Sequence, residues 1–283
     1  MIDLHTHSTA SDGTDAPGEL VAAAKAAGVG TLAITDHDST QGWDAAAEAA
    51  TACGVDLVRG IEVSCRHGGV SIHLLAYLPD PESPTLVAEL AHARASREAR
   101  LARMVALMEA DGVPITYAEV LAQVQRPGTT VGRPHIADAL VASGVVPHRD
   151  EAFASYLHSG TPYYVAHYAC EVVAAVRFVR EAGGVAVMAH PFAAARGRVV
   201  GDDVIEAMAD AGLAGLEAFH HDHDAEQTRH AVDLARSLGL FVTGSSDYHG
   251  TGKVNVLGEH VTDPDVLAAI EEQARSGVAV LRS

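Results

Sequence analysis

"MIDLHTHSTASDG" (residues 1–13) begins as an apolar strand and ends in His5, His7 and Asp12, three strong ligands for a metal or a proton. An ordinary strand end would carry turn formers such as Gly, Asn or Pro. If other strands end the same way, their ends converge on one face, and that face fixes the fold. They do. "TDHD" (35–38) puts His37 after a second strand, "GIEVS" (60–64) puts Glu62 inside a third, and "VSIHLLAYL" (70–78) puts His73 in a hairpin neighbour after "HGG". "VAVMAH" (185–190) ends in His190, and "LFVTGSSDYH" (240–249) ends in Asp247 and His249.

Between these strands the period changes to that of helices: "APGELVAAAKAAGVG" (16–30), "GWDAAAEAATACG" (42–54), "VVAAVRFVREAGG" (172–184), "DDVIEAMADAG" (202–212), "AEQTRHAVDLARSLG" (225–239) and "PDVLAAIEEQARSG" (264–277). Strand–helix alternation implies a parallel sheet, open or closed. Ligands at the carboxyl ends of successive strands select the closed form, since barrel sites assemble on that face. "PDPESP" breaks the rhythm, and residues 85–165 then read as helices: 86–112, 116–124 with Thr116 and Glu119 at capping-box spacing, and 133–144. The expected fold is α/β, a TIM-like barrel formed by 1–84 and 166–283 with a helical, substrate-capping insertion at 85–165.

Composition narrows the chemistry. Of 283 residues, 48% are hydrophobic and 20% charged, as in a soluble protein with a well-buried core. No apolar run approaches the ~18 residues of a membrane span, and the start lacks a signal-peptide pattern, so the cytoplasm is the expected location. Cys53, Cys65 and Cys170 show no paired spacing, which disfavours a disulfide framework or thiolate zinc site. A net charge of −18 excludes a broad grip on duplex nucleic acid, but bound cations would reverse the local sign for a phosphorylated substrate.

Each ligand position has a plainer reading alone. His5-x-His7 is an incidental pair, Asp38 caps the following helix, Glu62 partners Arg59 or Arg66, His73 is a satisfied core histidine, and "SDYH" is a turn. Their recurrence at strand ends outweighs these. Imidazole with carboxylate suits manganese, iron or zinc, with magnesium an option, and nine ligands exceed what one ion accepts. Two or three bridged ions would activate water and clamp a phosphoryl group.

"HTHSTASDG", "TDHD", "GIEVS" with "IHLLAY", "AHP" and "SDYH" together resemble the PHP (polymerase and histidinol phosphatase) superfamily. The resemblance implies a distorted (β/α)7 barrel, phosphoester hydrolysis, and metal ligation by His5, His7, Asp12, His37, Glu62, His73, His190, Asp247 and His249. The insertion, with "SREARLARM" and "GRPHIA", looks like the branch of 3′,5′-nucleoside bisphosphate phosphatases and 5′-to-3′ exoribonucleases, where its arginines hold a second phosphate. Arg94, Arg97, Arg100 and Arg103 recur every three residues on a slowly drifting helix face, and Arg133 and His135 open another helix. Guanidinium suits bidentate phosphate contacts, and helix starts favour anions.

Arg97, Arg100, Arg133 and His135 are therefore the expected substrate ligands. His223 joins them, preferred over His220 in "FHHDHD" (219–224); Arg196 and Arg198 either approach phosphate or lie on a surface loop. Metal-activated water supplies the nucleophile, and no side chain is assigned as catalytic. The expected function is metal-dependent hydrolysis of nucleoside 3′,5′-bisphosphates, or of short single-stranded RNA from its 5′ end, with manganese as the expected ion and no membrane or obligate protein partner. Rivals are a histidinol-phosphate phosphatase, which is not expected to carry this insertion, and a metal-dependent amidohydrolase. The latter usually has a mid-barrel lysine, and neither Lys25 nor Lys253 sits at a central strand end. A non-catalytic metal-binding module would have lost ligands, and none is missing here.

Overall fold

The computed structural model describes residues 1–283. Eight strands form one sheet: β1 (Ile2–Asp3), β2 (Thr31–Ile34), β3 (Asp56–His67), β4 (Val70–Tyr77), β5 (Cys170–Glu171), β6 (Val185–Met188), β7 (Gly215–Phe219) and β8 (Phe241–Gly244). Seven run in the order β1-β2-β3-β4-β6-β7-β8, while β5 attaches to β3 outside that path. The sheet curls into a nearly closed barrel. His7 N donates to Tyr248 O at 2.9 Å, and Thr6 bridges Tyr248, so the loop after β8 meets the extension of β1.

Every neighbouring pair is parallel except those of β4, which runs antiparallel to both β3 and β6. Gly68 and Gly69 make the two-residue turn into β4 with φ of +54° and +78°, values that a side chain would oppose. β2 and β6 are buried on both faces, as their unbroken apolar runs require. Outside the barrel, α7 (Val172–Glu181) buries Val172, Ala175, Val176 and Val179, the spacing of one helical face. The other outer helices are α1 (Pro17–Ala26), α2 (Trp43–Cys53), α8 (Asp202–Ala211), α9 (Ala225–Leu238) and α10 (Pro264–Gln273).

The first strand is shorter than "MIDLHTH" suggests. Beyond Asp3, threonine side chains take over most of the pairing with β2: Thr6 Oγ1 donates to Ala33 O (2.6 Å), and Thr35 Oγ1 accepts from Thr6 N (3.1 Å).

Residues 84–157 carry α3 (Pro84–Ala110), α4 (Tyr117–Leu121), α5 (Arg133–Ala142) and α6 (Arg149–Ala152), which runs into a π-helical turn at Phe153–Leu157. α3 changes partner along its length. Leu86 and Leu90 belong to the barrel's outer core, whereas Leu101, Met104, Val105 and Met108 join Ile136, Leu140 and Leu157 in a separate apolar cluster. The loop before α5 is pinned to the barrel by Thr129 Oγ1, which donates to Thr9 O (2.8 Å), and by Thr130 N, which donates to Ala10 O (2.9 Å). No helix is long and apolar enough to cross a membrane.

Candidate metal centre and anion cradle

All nine strand-end ligands meet at the carboxyl mouth of the barrel. Three overlapping groups each hold their ligand atoms within 4.8 Å of one another: His7, Asp12, His37 and His249; His5, His7, Glu62 and Asp247; His37, Glu62 and His73. Glu62 is the hub. Its Oε2 lies 3.3 Å from His5 Nε2, 3.0 Å from His7 Nε2 and 3.1 Å from His37 Nδ1, while Oε1 lies 2.6 Å from His73 Nδ1 and 3.3 Å from His190 Nε2. His190 thus adjoins the groups through Glu62 and through the rings of His73 and His5, 5.3 and 5.9 Å from its own centroid to centroid.

The donor set fits metal ions. His5 Nδ1 is 2.9 Å from Glu217 Oε1, His7 Nδ1 is 3.3 Å from Ser11 Oγ, and His249 Nδ1 is 2.8 Å from Asp247 O. Each of these partners can accept the Nδ1 proton, Ser11 because its own hydroxyl donates to Asp36. That leaves three Nε2 atoms aimed at the cluster. Against burial, the carboxylates around them raise the pKa of His5 well above its usual value and that of His7 to about 9, so an ion bound there would displace a proton from each. Asp12 Oδ1, His37 Nδ1 and His73 Nδ1 are buried with no hydrogen-bond partner, which is costly unless an ion satisfies them.

Charge follows the same logic. Burial alone would raise the carboxyl pKa values, yet the surrounding His73, His37 and His5 hold Glu62 well below its usual range. Likewise His37 and His249 hold Asp12 down against burial, and Lys253 and Arg196 do so for Asp247. Burial pushes His37 and His190 well below 6.5, and His249 to about 4, so these rings are neutral ligands at physiological pH.

Loop geometry sustains this crowding. Gly13 packs its Cα against the His7 carbonyl with no room for a Cβ. Asp247, Asp38 and His190 hold left-handed backbone, with φ of 53°, 50° and 31°. Such strain in non-glycine residues collects at functional sites.

The arginines divide. Arg97 is consumed locally: Nε donates to Asp38 Oδ2 (2.8 Å) and an Nη to Ser64 Oγ (2.6 Å). Asp38 does not cap α2 as its sequence position suggests; it accepts from Ser64 N (2.8 Å) and Ser64 Oγ (2.7 Å), and the N-cap of α2 is Gly42. Arg94 donates to Asp38 O (2.6 Å), and Arg103 is exposed.

Arg100 and Arg133 share the Tyr164 ring, at 5.1 and 5.9 Å from its centroid, and neither forms an ion pair. Burial and mutual repulsion lower the pKa of Arg100, and burial lowers that of Arg133. His135 is buried, its Nδ1 accepting from Gly132 N (3.2 Å), and it lines a polar cleft of about 550 Å³ with Asp12, Gln123, Gln125 and Arg149.

His223 departs from expectation. Nδ1 donates to Ala218 O (2.9 Å) and Nε2 accepts from Phe192 N (3.1 Å), so both nitrogens serve the main chain and neither is free for substrate. His220 instead faces the centre: Nε2 is buried, unpartnered and 3.5 Å from Asp247 Oδ2.

Two residues close to the cluster, Glu217 and Lys253, carried no role in the sequence, and a third, Arg196, was expected either near phosphate or on a surface loop. Glu217 orients His5 and accepts from His190 N (2.9 Å). Lys253 Nζ lies 2.9 Å from Asp247 Oδ2, brought in by a loop and not by a strand, and Arg196 pairs with Asp247 and Asp222. Arg198 stays exposed. Glu217 had a readable signal, the one acid in the otherwise apolar strand "GLEAF"; Lys253 had none.

Known proteins resemble this chain in sequence and fold. The PHP domain model matches residues 3–125. The 3′,5′-nucleoside bisphosphate phosphatase of Chromobacterium violaceum is 35% identical over 252 residues, spanning 89% of this chain and 88% of that protein. The 5′-3′ exoribonuclease of Haemophilus influenzae is 34% identical, spanning 87% and 89%. The phosphoribosyl 1,2-cyclic phosphate 1,2-diphosphodiesterase of Eggerthella lenta is also 34% identical, spanning 92% and 98%. A crystal structure from Bifidobacterium adolescentis assigned as a metal-dependent phosphoesterase superposes with a TM-score of 0.94 at 41% identity, covering 96% of each chain.

Proposed function

The chain belongs to the PHP domain family and is a metal-dependent phosphoric ester hydrolase, and we propose that its substrates are nucleoside 3′,5′-bisphosphates, from which it releases the 3′-phosphate. The observation that carries this choice is the pair Arg100 and Arg133, two mostly buried guanidinium groups with no carboxylate partner in a chain of net charge −18. Uncompensated buried cations are strongly destabilising unless a ligand anion pairs them. Arg100 Nη1 lies 3.3 Å from His167 Nδ1, and burial, both arginines and His73 of the ligand cluster all depress the pKa of that ring. A substrate with two phosphates satisfies both halves of the site.

The nine ligands hold two or three divalent ions, which we take to be manganese: one by His5, His7, Glu62 and Asp247, one by His7, Asp12, His37 and His249, and a third by His37, Glu62 and His73 with His190 adjoining. When bound, such ions supply Lewis-acid neutralisation of phosphoryl charge and acidify water at neutral pH. Glu217, Ser11 and the Asp247 carbonyl keep His5, His7 and His249 in their ligating tautomer. Arg100 and Arg133 hold the phosphate that does not react, and His135 borders the cleft where the nucleoside lies. Arg97 acts indirectly by fixing Asp38 and Ser64. Residues 85–165 are the cap that brings these groups over the barrel mouth.

Release of 5′ nucleotides from short RNA is a second reading, favoured by the open polar cleft that runs from Asp12 past Gln123 and Gln125. Histidinol phosphate fits worse, since its ammonium group would face two guanidiniums. The test is product formation by manganese-reconstituted protein: inorganic phosphate from a nucleoside 3′,5′-bisphosphate and from histidinol phosphate, 5′ nucleotides from a 5′-phosphorylated oligoribonucleotide, and the ring-opened monoester from a ribosyl cyclic phosphate. The bisphosphate should give the highest kcat/KM; preference for histidinol phosphate would contradict the reading.

A further inference from the structure

We propose that His167 is a third ligand of the non-reacting phosphate, donating from Nε2, and so a specificity-determining residue. The inference rests on the bisphosphate reading above and deepens it. His167 lies outside the helical segment, in the stretch that returns to the barrel just before β5, and nothing in its sequence surroundings marks it. Its environment does.

Its Nδ1 lies 3.3 Å from Arg100 Nη1. A guanidinium only donates, so Nδ1 must present a lone pair. In the neutral ring the single proton then sits on Nε2. Burial, reinforced by Arg97 and Arg100, keeps the ring neutral by pushing its pKa to about 3. Nε2 is nonetheless buried with no hydrogen-bond partner, and so is Nε of Arg100. Two buried donors, one on each member of a bonded pair, therefore lack an acceptor beside the guanidinium of Arg133, which donates one Nη to Leu157 O (2.9 Å) and has no carboxylate partner. Native structures seldom leave such groups orphaned. A group built only of acceptors and carrying negative charge satisfies them together, and a phosphate monoester is that group.

The ring is also held still. Tyr168 N, one residue on, donates to Ser96 Oγ of α3 (2.7 Å). The Tyr168 ring stacks on His92 of the same helix with centroids 3.8 Å apart and planes 12° apart, and its hydroxyl donates to Glu89 (2.7 Å). The helix that supplies Arg100 thus also fixes the segment that supplies His167, so the two donors move as one unit. Preorganised donors lose little entropy when the anion arrives.

The test compares kcat/KM for a nucleoside 3′,5′-bisphosphate and for p-nitrophenyl phosphate in the metal-loaded wild type, His167→Ala and His167→Gln. Taking the ratio of the two substrates cancels any loss of folded enzyme. Ala should lower the ratio roughly tenfold, the effect of one lost charge-assisted hydrogen bond, while Gln, which can accept from Arg100 and still donate, should recover most of it. The Ki of the nucleoside 5′-monophosphate product should rise in Ala by a similar factor. A wild type indifferent to the second phosphate would overturn the bisphosphate reading itself. A selective wild type whose ratio and Ki survive His167→Ala overturns only the role given to His167, as does an equal fall for both substrates that Gln fails to restore.

Discussion

Asp247 shows how much one position is asked to do. Its Oδ1 lies 3.4 Å from both His5 Nε2 and His7 Nε2, and its Oδ2 faces Lys253 and Arg196, all on a left-handed backbone. Asp247→Asn keeps the shape and removes the charge. The two stranded cations are about one-third exposed and can rehydrate, so the fold should survive with a loss of under about 1 kcal/mol. Metal content should fall by at least one equivalent and phosphate release should disappear, readable by elemental analysis and assay of the purified variant. Wild-type turnover would remove Asp247 from the proposed ligand set.

At this scale His5, His7, His37, His190, Asp247 and His249 stood out as candidates because each ends a strand where a turn former belongs, whereas Glu62 and His73 lie within strands and gained meaning only beside the others. His220 and His223 were not separable, because two close histidines on one loop differ only in where the chain aims them. His223 was absorbed by the carbonyl of Ala218 and the amide of Phe192, contacts that no local pattern encodes. His167 was invisible for the same reason: its partner, Arg100, is 67 residues away.

Among the elements, α3 was read well in extent and only partly in face. Three residues advance a helix by about 300°, so each arginine falls about 60° behind the last. From Arg94 to Arg103 the drift reaches a half turn, which is why Arg94, Arg97 and Arg100 face the site and Arg103 faces solvent. Two outcomes follow for thermal or denaturant unfolding. Arg103→Ala should change stability by less than about 0.5 kcal/mol. Arg97→Ala should cost about 3–5 kcal/mol, because Asp38 is fully buried and would lose the partner of its charge. Equal effects would mean that the Arg97–Asp38 pair is not the buried contact described here.

Elsewhere, boundaries followed local rules where those rules acted alone. The Thr116–Glu119 capping box formed at the start of α4. β1 is short because beyond Asp3 only Thr35 N to Thr6 O (2.9 Å) remains of its main-chain pairing with β2, and threonine hydroxyls make the other bonds. Asp38 left its capping position for Ser64 and Arg97, a tertiary contact outbidding a local one.

For the molecule as a whole, the alternation of strand and helix identified a barrel, while its closure and the reversed β4 came from long-range contacts. The "HGG" turn was the only local sign of the reversal. What the barrel encloses makes it metal-linked in stability. Glu62, Asp12, Asp247 and Glu217 are held ionised at the mouth, Glu217 with a pKa lowered to about 2 against burial by His5. Ions that bind only the folded chain add about 2.7 kcal/mol per site at a hundredfold excess over Kd. Removing two or three of them with a chelator should therefore lower the Tm by roughly 10 °C or more, at roughly 2–4 °C per kcal/mol, and manganese should restore it. A Tm unmoved by chelation, measured on protein with confirmed metal content, would detach the cluster from the stability of the fold.

Under the proposed function one phosphate reacts at the ligand cluster while a second is held by Arg100 and Arg133. Arg100→Ala separates the two functions in a single measurement. With metal content equal to wild type, its kcat/KM for a nucleoside 3′,5′-bisphosphate should fall by about tenfold to a hundredfold, the effect of losing a charge-assisted contact of ~1.5–3 kcal/mol. Its kcat/KM for p-nitrophenyl phosphate, which has no second anion, should stay near that of the wild type. An equal fall for both substrates, or no fall for either, would contradict the account.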